Sequence, residues 1–371
     1  IHYRYQHKHL TYLIVGIGIF ALSNSMLTNL KAIGYILHHV TGGTIGYGSG
    51  IIVMAIIMVV YETLGGMRSV AWTDAIQGVL LLFGVLIIFA VVWMEYGSIE
   101  SNQLLLEQVR GDFFENPTPL QQVKWVSVLI LIFFGISVYP QAIQRIYSAK
   151  NEITLRRSMQ LMVIMPFLTT LPLIIIAIIG AAHFPDLDKT SSEQIVLLML
   201  SKLSHIDGMS YIITLFIASA VAAIMSTVDS AMLAIAALFT QDIYRRQRPY
   251  ASQKELTYIG KVFSWAMMAF MVYAAIMLPA TIWWLIQIKL EILCQIAPAI
   301  MLGVWFTHIR AKTIIVALLI GVITTLLFLL SPLPDKPFGF HAGVIGLMLN
   351  FITIFIMTFI EKKQLLFSYR N

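Results

Sequence analysis

Small and hydroxyl-bearing side chains recur at helical spacing around Ser226. Ala223, Ser226, Thr227 and Ser230 follow the i, i+3, i+4, i+7 pattern, so a helix places them on one face, and Asp229 flanks them. Small hard cations bind oxygen, which hydroxyls can supply together with carbonyls released by a broken neighbouring helix. The pattern therefore predicts a cation site. The alternative is that Ser and Thr bond back to their own i−4 carbonyls or ease helix packing.

Asp74 lies in a second polar segment. Gly65-Gly66 predicts a helix end and a tight turn, and Asp74 then falls in the first turn of the next helix, where a carboxylate favours the positive end of the dipole. Gln77 follows one turn later. Helix capping and an ion path both explain this carboxylate.

A third polar segment contains Tyr139, Pro140 and Gln141. Pro140 removes a helical hydrogen bond and predicts a kink. Freed carbonyls near mid-membrane are typical of transporter sites, although a packing kink is equally common.

Lys289 and Glu291 are two residues apart, so they point to different faces and do not simply pair. Lys289 could contact either a substrate carboxylate or a lipid headgroup.

The composition identifies the kind of element that must position these residues. Of the 371 residues, 59 % are apolar and only 11 % are charged, against about a quarter charged in soluble domains. Mean hydropathy is +0.85. These values exclude an ordinary soluble enzyme or a nucleic-acid-binding module and predict an all-α polytopic membrane protein. No hydrolase, zinc-protease, Walker A or kinase motif is present in the sequence.

About ten segments are long and apolar enough to cross a bilayer, which needs roughly 20 residues per helix. They are predicted at 10–37, 47–64, 71–95, 123–147, 155–182, 209–239, 256–279, 282–306, 311–331 and 341–360. The stretch Ser191–Leu203 lies between two of them and is predicted as a short interfacial helix, with a plain connector as the alternative. The spans suggest one transmembrane domain over 1–371.

The loops predict the orientation. With Ile1 in the cytoplasm, 17 basic residues fall on the cytoplasmic side and 5 on the other, which agrees with the excess of Lys and Arg in cytoplasmic loops. We therefore expect a multi-pass protein of the cell membrane with a cytoplasmic N-terminus. Because the chain begins at Ile1 and not at Met, we expect a piece of a longer protein.

Three motifs together resemble the sodium:solute symporter family. They are Tyr61, Gly65-Gly66, Trp72-Thr73-Asp74 and Gln77; Gln144-Arg145; and Ala223 to Thr227 followed by Thr240, Asp242 and Tyr244. Their order and spacing match the family over essentially the whole chain. The resemblance implies the LeuT-like inverted-repeat fold of five plus five core helices, working by alternating access. The ten spans then resemble core helices 3 to 10 plus two peripheral helices, with the first helices missing.

The resemblance also implies roles for residues. It implies that Na⁺ is the coupling ion, bound by the Ala223 carbonyl and the hydroxyls of Ser226 and Thr227, with further carbonyls from a core helix outside this chain. Asp74 matches an aspartate linked to sodium passage, and Asp229 joins it as an ion-pathway candidate. The substrate-cavity candidates are Gly135, Tyr139, Pro140, Gln141, Gln287 and Lys289. No metal other than sodium is expected.

The expected function is sodium-coupled symport of a small organic solute. Gly135-Ile136 stands where the sugar branch has a Tyr-Trp pair, which favours an amino acid or carboxylate over a sugar. The alternative is a symporter-like sensory domain of a membrane histidine kinase, and sequence beyond Asn371 would distinguish the two. A passive pore fits less well, since the pattern gives one asymmetric site. The expected partners are the solute and the lipid bilayer, with no nucleic acid and no evident obligate protein partner.

Overall fold

The computed structural model describes residues 2–188, 191–330 and 336–368, which form helices joined by short loops, without a strand among them. Ten helices in these ranges are long and apolar enough to cross a membrane. They are α1 (Lys8–Val40), α2 (Tyr47–Gly65), α3 (Val70–Tyr96), α4 (Pro119–Ser137), α5 (Glu152–His183), α6 (Met209–Gln247), α7 (Gln253–Met277), α8 (Ile282–Trp305), α9 (Ala311–Leu330) and α10 (Ala342–Lys362). The predicted ten-span, all-α membrane architecture is confirmed. Most helix ends lie within a few residues of their predicted positions.

The connection between α2 and α3 differs from the prediction. The expected helix end at Gly65-Gly66 is wrong, because helical backbone hydrogen bonding continues from Tyr47 to Tyr96. The Tyr61 hydroxyl nevertheless contacts Thr73 Oγ1, twelve residues later. Twelve residues of straight helix would rise about 18 Å. The axis therefore bends sharply between these two residues without an intervening loop.

The predicted kink at Pro140 is a complete interruption of the helix. α4 ends at Ser137, and a separate helix runs from Pro140 to Tyr147. Val138 and Tyr139 link the two. Proline suits the first position of the second helix, since its missing N–H would have no helical partner there.

The principal core lies where α1 packs against α2, α6, α7 and α8. Leu22, Met26 and Leu30 of α1 are fully buried there, together with Met58 of α2 and Met232 of α6. The lipid-facing sides of the helices are also apolar, so the core is distinguished by packing and not by composition. α1 is therefore the central element of the bundle.

The predicted short helix between α5 and α6 is confirmed as a 3₁₀ turn, Ser191–Gln194, followed by a helix, Ile195–Leu203. The Glu193 carboxylate accepts hydrogen bonds from the backbone N–H groups of Ile282 (3.1 Å) and Trp283 (3.0 Å). It thereby satisfies free donors at the start of α8, where a negative charge is favoured.

The N-terminal residues fasten the opposite end of α8. Arg4 Nε donates to the Gly303 carbonyl (2.8 Å), and the Tyr5 hydroxyl donates to the Ala299 carbonyl (2.8 Å). Burial raises the pKa of Tyr5, and the nearby Arg4 charge partly opposes the rise. Tyr5 therefore remains a neutral donor at physiological pH.

Candidate functional site

Asp74 is the centre of a polar network that joins three helices. Its Oδ2 lies 2.8 Å from Arg145 Nη2, and its Oδ1 accepts a hydrogen bond from Ser226 Oγ. Arg145 Nη2 also donates to Ser230 Oγ at 2.8 Å. The network thus connects the start of α3, the helix Pro140–Tyr147 and the hydroxyl face of α6.

The ion pair in this network is open to solvent on one side. The Arg145 side chain is 53 % exposed and the Asp74 side chain 19 % exposed, so the pair contributes little to stability and can be opened at low cost. A cavity of about 360 Å³ lies beside it. Its lining consists of Val70, Ala71, Asp74, Ala75, Gln141, Gln144, Arg145, Ser148, Ser230 and Leu233.

The structure brings the interrupted helix to the candidate sodium ligands. Gln141 Nε2 lies 3.4 Å from the Thr227 carbonyl, which it contacts as a donor. Thr227 Oγ1 donates to the Ala223 carbonyl at 3.0 Å, the i−4 bond expected of a helical threonine. Ala223, Ser226 and Thr227 are all half-buried. Their oxygen atoms are ligands of the kind that Na⁺ prefers, and rotation of the hydroxyls would redirect them.

Asp229 makes no hydrogen bond to this network, although Asp74 lies within electrostatic range of it. Asp229 is 1 % exposed, and neither carboxylate oxygen has a hydrogen-bond partner among the described residues. Glu62 of α2, 3 % exposed, is within electrostatic range and has one carboxylate oxygen in the same condition. Burial of an unpaired carboxylate is strongly unfavourable, so Asp229 requires a proton or a cation, whereas Glu62 has the Lys261 charge within electrostatic range.

The substrate-cavity candidates lie around the break between α4 and the next helix. Tyr139 occupies the break, and its Oη lies beside Ser25 of α1 without a hydrogen bond of normal geometry. A Cβ added at Gly135 would lie 3.0 Å from Leu290 Cδ2, so α4 and α8 approach closely here. Pro140 packs next to Gly18 of α1.

Lys289 of α8 lies with its Nζ 5.5 Å from the centroid of the Tyr139 ring. As expected, it does not pair with Glu291, whose Oε1 is 3.0 Å from His341 Nδ1. Gln287 is half-buried, and among the described residues it forms no side-chain hydrogen bond with the other cavity candidates.

Sequence reasoning missed two of these contacts. The sequence presents Arg145 only as part of a motif, and its pairing with Asp74 joins positions 71 residues apart. The partner of Glu291, His341, is 50 residues away. Asp74 and Glu291 lie in otherwise apolar or helix-ending segments. An isolated charged residue in such a segment indicates that it has a partner elsewhere in the chain. Among the described residues no group of three or more His, Cys, Asp or Glu side chains could hold a metal ion.

Ten membrane spans, an interrupted helix and a hydroxyl-lined face are together typical of a secondary transporter. A profile of the sodium:solute symporter family matches residues 1–321, and the chain belongs to that family. The family consists of transporters and not enzymes, and its coupling ion is sodium.

Several characterised proteins are similar over much of the chain. The sodium/pantothenate symporter of Haemophilus influenzae is 26 % identical over 98 % of this chain and 74 % of its own length. The osmoregulated proline transporter OpuE of Bacillus subtilis is 26 % identical over 87 % of this chain and 65 % of its own length. The sodium/proline symporter of Escherichia coli is 24 % identical over 55 % of this chain and 41 % of its own length.

A solved structure of a Na⁺-coupled sialic acid symporter, in a substrate-bound outward-open state, has the same fold. It matches 94 % of this chain and 76 % of its own, with a TM-score of 0.71 at 21 % identity. This likeness confirms the LeuT-like fold. The relatives are named as transporters and give no support to the alternative of a sensory domain.

Proposed function

We propose that this protein is a sodium-coupled symporter that takes up a small organic solute by alternating access, with amino acids and carboxylates favoured over sugars. Residues 1–371 act in it as one transporter domain, and Ile1 lies on the cytoplasmic side. The relatives named for pantothenate and proline support the solute class, since both of those solutes carry a carboxylate.

One observation carries the proposal. The interrupted helix and the hydroxyl face of α6 meet at Gln141 and Thr227, and Asp74 holds the neighbouring Ser226. A sodium ion bound by Ala223, Ser226 and Thr227 would therefore influence both the break in the helix and the Asp74 network that lines the cavity. Sodium that binds one conformation better shifts the population toward that conformation.

The energy available is sufficient for uphill uptake. One sodium ion moving through 100 mV releases about 2.3 kcal/mol. A tenfold sodium gradient adds about 1.4 kcal/mol. Together they support accumulation of a solute without net charge, such as a zwitterionic amino acid, by several hundredfold for each ion.

The test is uptake by cells that express the complete gene. Labelled amino acids, short carboxylates, pantothenate and sugars are supplied with and without a sodium gradient. We expect sodium-dependent uptake of at least one carboxylate, and its loss in the double variant Ser226→Ala/Thr227→Ala. Uptake that ignores sodium, or that survives in the double variant at normal surface expression, would contradict the proposal.

A further inference from the structure

Lys289 is a cation in the interior of a membrane span without an acidic partner. It lies seven residues after Ile282, the first residue of α8, which is about 10 Å along the helix. Among the described residues it forms no salt bridge, and the nearby carboxylate of Glu291 is already bonded to His341. An intramembrane lysine of this kind is by default a functional residue.

The contact with Tyr139 does not explain the lysine. A single cation–π contact offsets only part of the cost of placing an ammonium group within a bilayer. Lys289 is half-buried, so part of its side chain remains accessible. An anion beside Lys289 would neutralise the ammonium charge that this contact leaves uncompensated.

The surroundings supply a second donor for that anion. Tyr139 Oη is buried and without a hydrogen bond of normal geometry, although it lies beside Ser25. A phenolic hydroxyl left unpaired in a buried position is costly unless a ligand accepts a hydrogen bond from it. Lys289 lies in α8 and Tyr139 lies in the break after α4. Their contact therefore brings an ammonium group and a hydroxyl together from two separate segments.

We propose that Lys289 and Tyr139 bind the carboxylate of the transported solute, so that the substrate is a monocarboxylate, including the amino acids. This rests on the proposed symport and adds a recognition group to it. An ammonium ion and a phenolic hydroxyl both donate to a carboxylate in charge-assisted hydrogen bonds. A phosphate of a lipid headgroup has related chemistry, and the experiment separates it from a solute.

The experiment compares acids with their neutral analogues in vesicles that contain the complete protein. Labelled amino acids and short monocarboxylates are taken up at one fixed sodium concentration, each in competition with its unlabelled acid or its primary amide. In the wild type we expect the amide to compete at least about tenfold more weakly than the acid. Lys289→Met should raise the half-saturation concentration of the acid at least about tenfold and leave competition by the amide unchanged.

Two variants serve as controls. Lys289→Arg keeps the charge and should keep the preference for acids, while Lys254→Gln removes an exposed lysine at the start of α7 and should change nothing. If Lys289→Met does not reach the membrane, Tyr139→Phe provides the test, with a loss of acid preference of a few fold.

Two results would overturn the inference. One is equal competition by acids and amides in the wild type. The other is an unchanged half-saturation for the acid in Lys289→Met, which would assign the lysine to a lipid phosphate. Failure of the proposed symport would be visible in a separate wild-type measurement, as uptake of the acid that is unchanged when sodium is left out.

Discussion

The substitution Thr227→Val separates a sodium ligand from a packing hydroxyl. Valine keeps the branched shape of threonine and replaces its hydroxyl with a methyl group. In the structure that oxygen donates to the Ala223 carbonyl at 3.0 Å, and loss of such a bond costs about 0.5–1 kcal/mol of unfolding free energy. The contact of Gln141 with residue 227 uses the backbone carbonyl, so it survives the change.

The effect on sodium should be larger than the effect on folding. Loss of one oxygen that contacts a charged ligand costs about 1.5–3 kcal/mol, which corresponds to a weakening of sodium activation by about 10- to 100-fold. Thr227→Ser keeps the oxygen and should retain most of the wild-type affinity.

The assay is the sodium dependence of uptake in vesicles, with thermal unfolding of the same purified proteins as the measure of stability. We expect a large shift in sodium half-saturation with a small shift in unfolding temperature. An unchanged half-saturation in Thr227→Val, with normal amounts in the membrane, would show that the hydroxyl only bonds to its own helix.

Three further perturbations test other parts of the structure. Asp74→Asn should lower kcat of uptake more than it raises KM, because it disturbs a network beside the transport path, and equal effects would count against a pathway role. Gly343→Ala should destabilise the protein by about 1–3 kcal/mol in thermal unfolding, since its Cβ would lie 2.5 Å from the backbone of α8; Gly78→Ala, with open space around it, is the matched control. Tyr5→Phe should cost about 1 kcal/mol through the lost bond to Ala299. The raised pKa of Tyr5 means that its stabilisation is complete below about pH 10 and is lost as pH rises through the folded-state pKa, so the stability difference between wild type and Tyr5→Phe should shrink at alkaline pH.

The spans were predictable because each depends on a local property. A run of about 20 apolar residues crosses a bilayer wherever it occurs, and the break near Pro140 follows from the missing N–H of one residue. The backbone conformation at Gly65-Gly66 was not predictable, because glycine permits several backbone paths and packing selects among them. Here it selects continuous helical bonding.

The site was only partly predictable. The pattern placed Ser226 and Thr227 on one helix face, but the contact between Ser226 and Asp74 joins residues 152 positions apart. Such pairings depend on how the helices cross, which a one-dimensional pattern does not contain. The burial of Asp229 beside Glu62 has the same origin. The sodium, pathway and cavity assignments therefore stay predictions until the variants above are measured.

The bend between α2 and α3 also has a mechanical consequence. Helical bonding continues through it, and the contact between Tyr61 and Thr73 braces its two arms. The helical hydrogen bonds and the Tyr61–Thr73 contact both oppose a change of angle at the bend, so the bend should resist flexing more than an open loop would. A tilt of α2 is then carried to the start of α3 with little loss. Asp74 directly follows Thr73 in the chain. We therefore expect Asp74 to move together with α2 during the transport cycle.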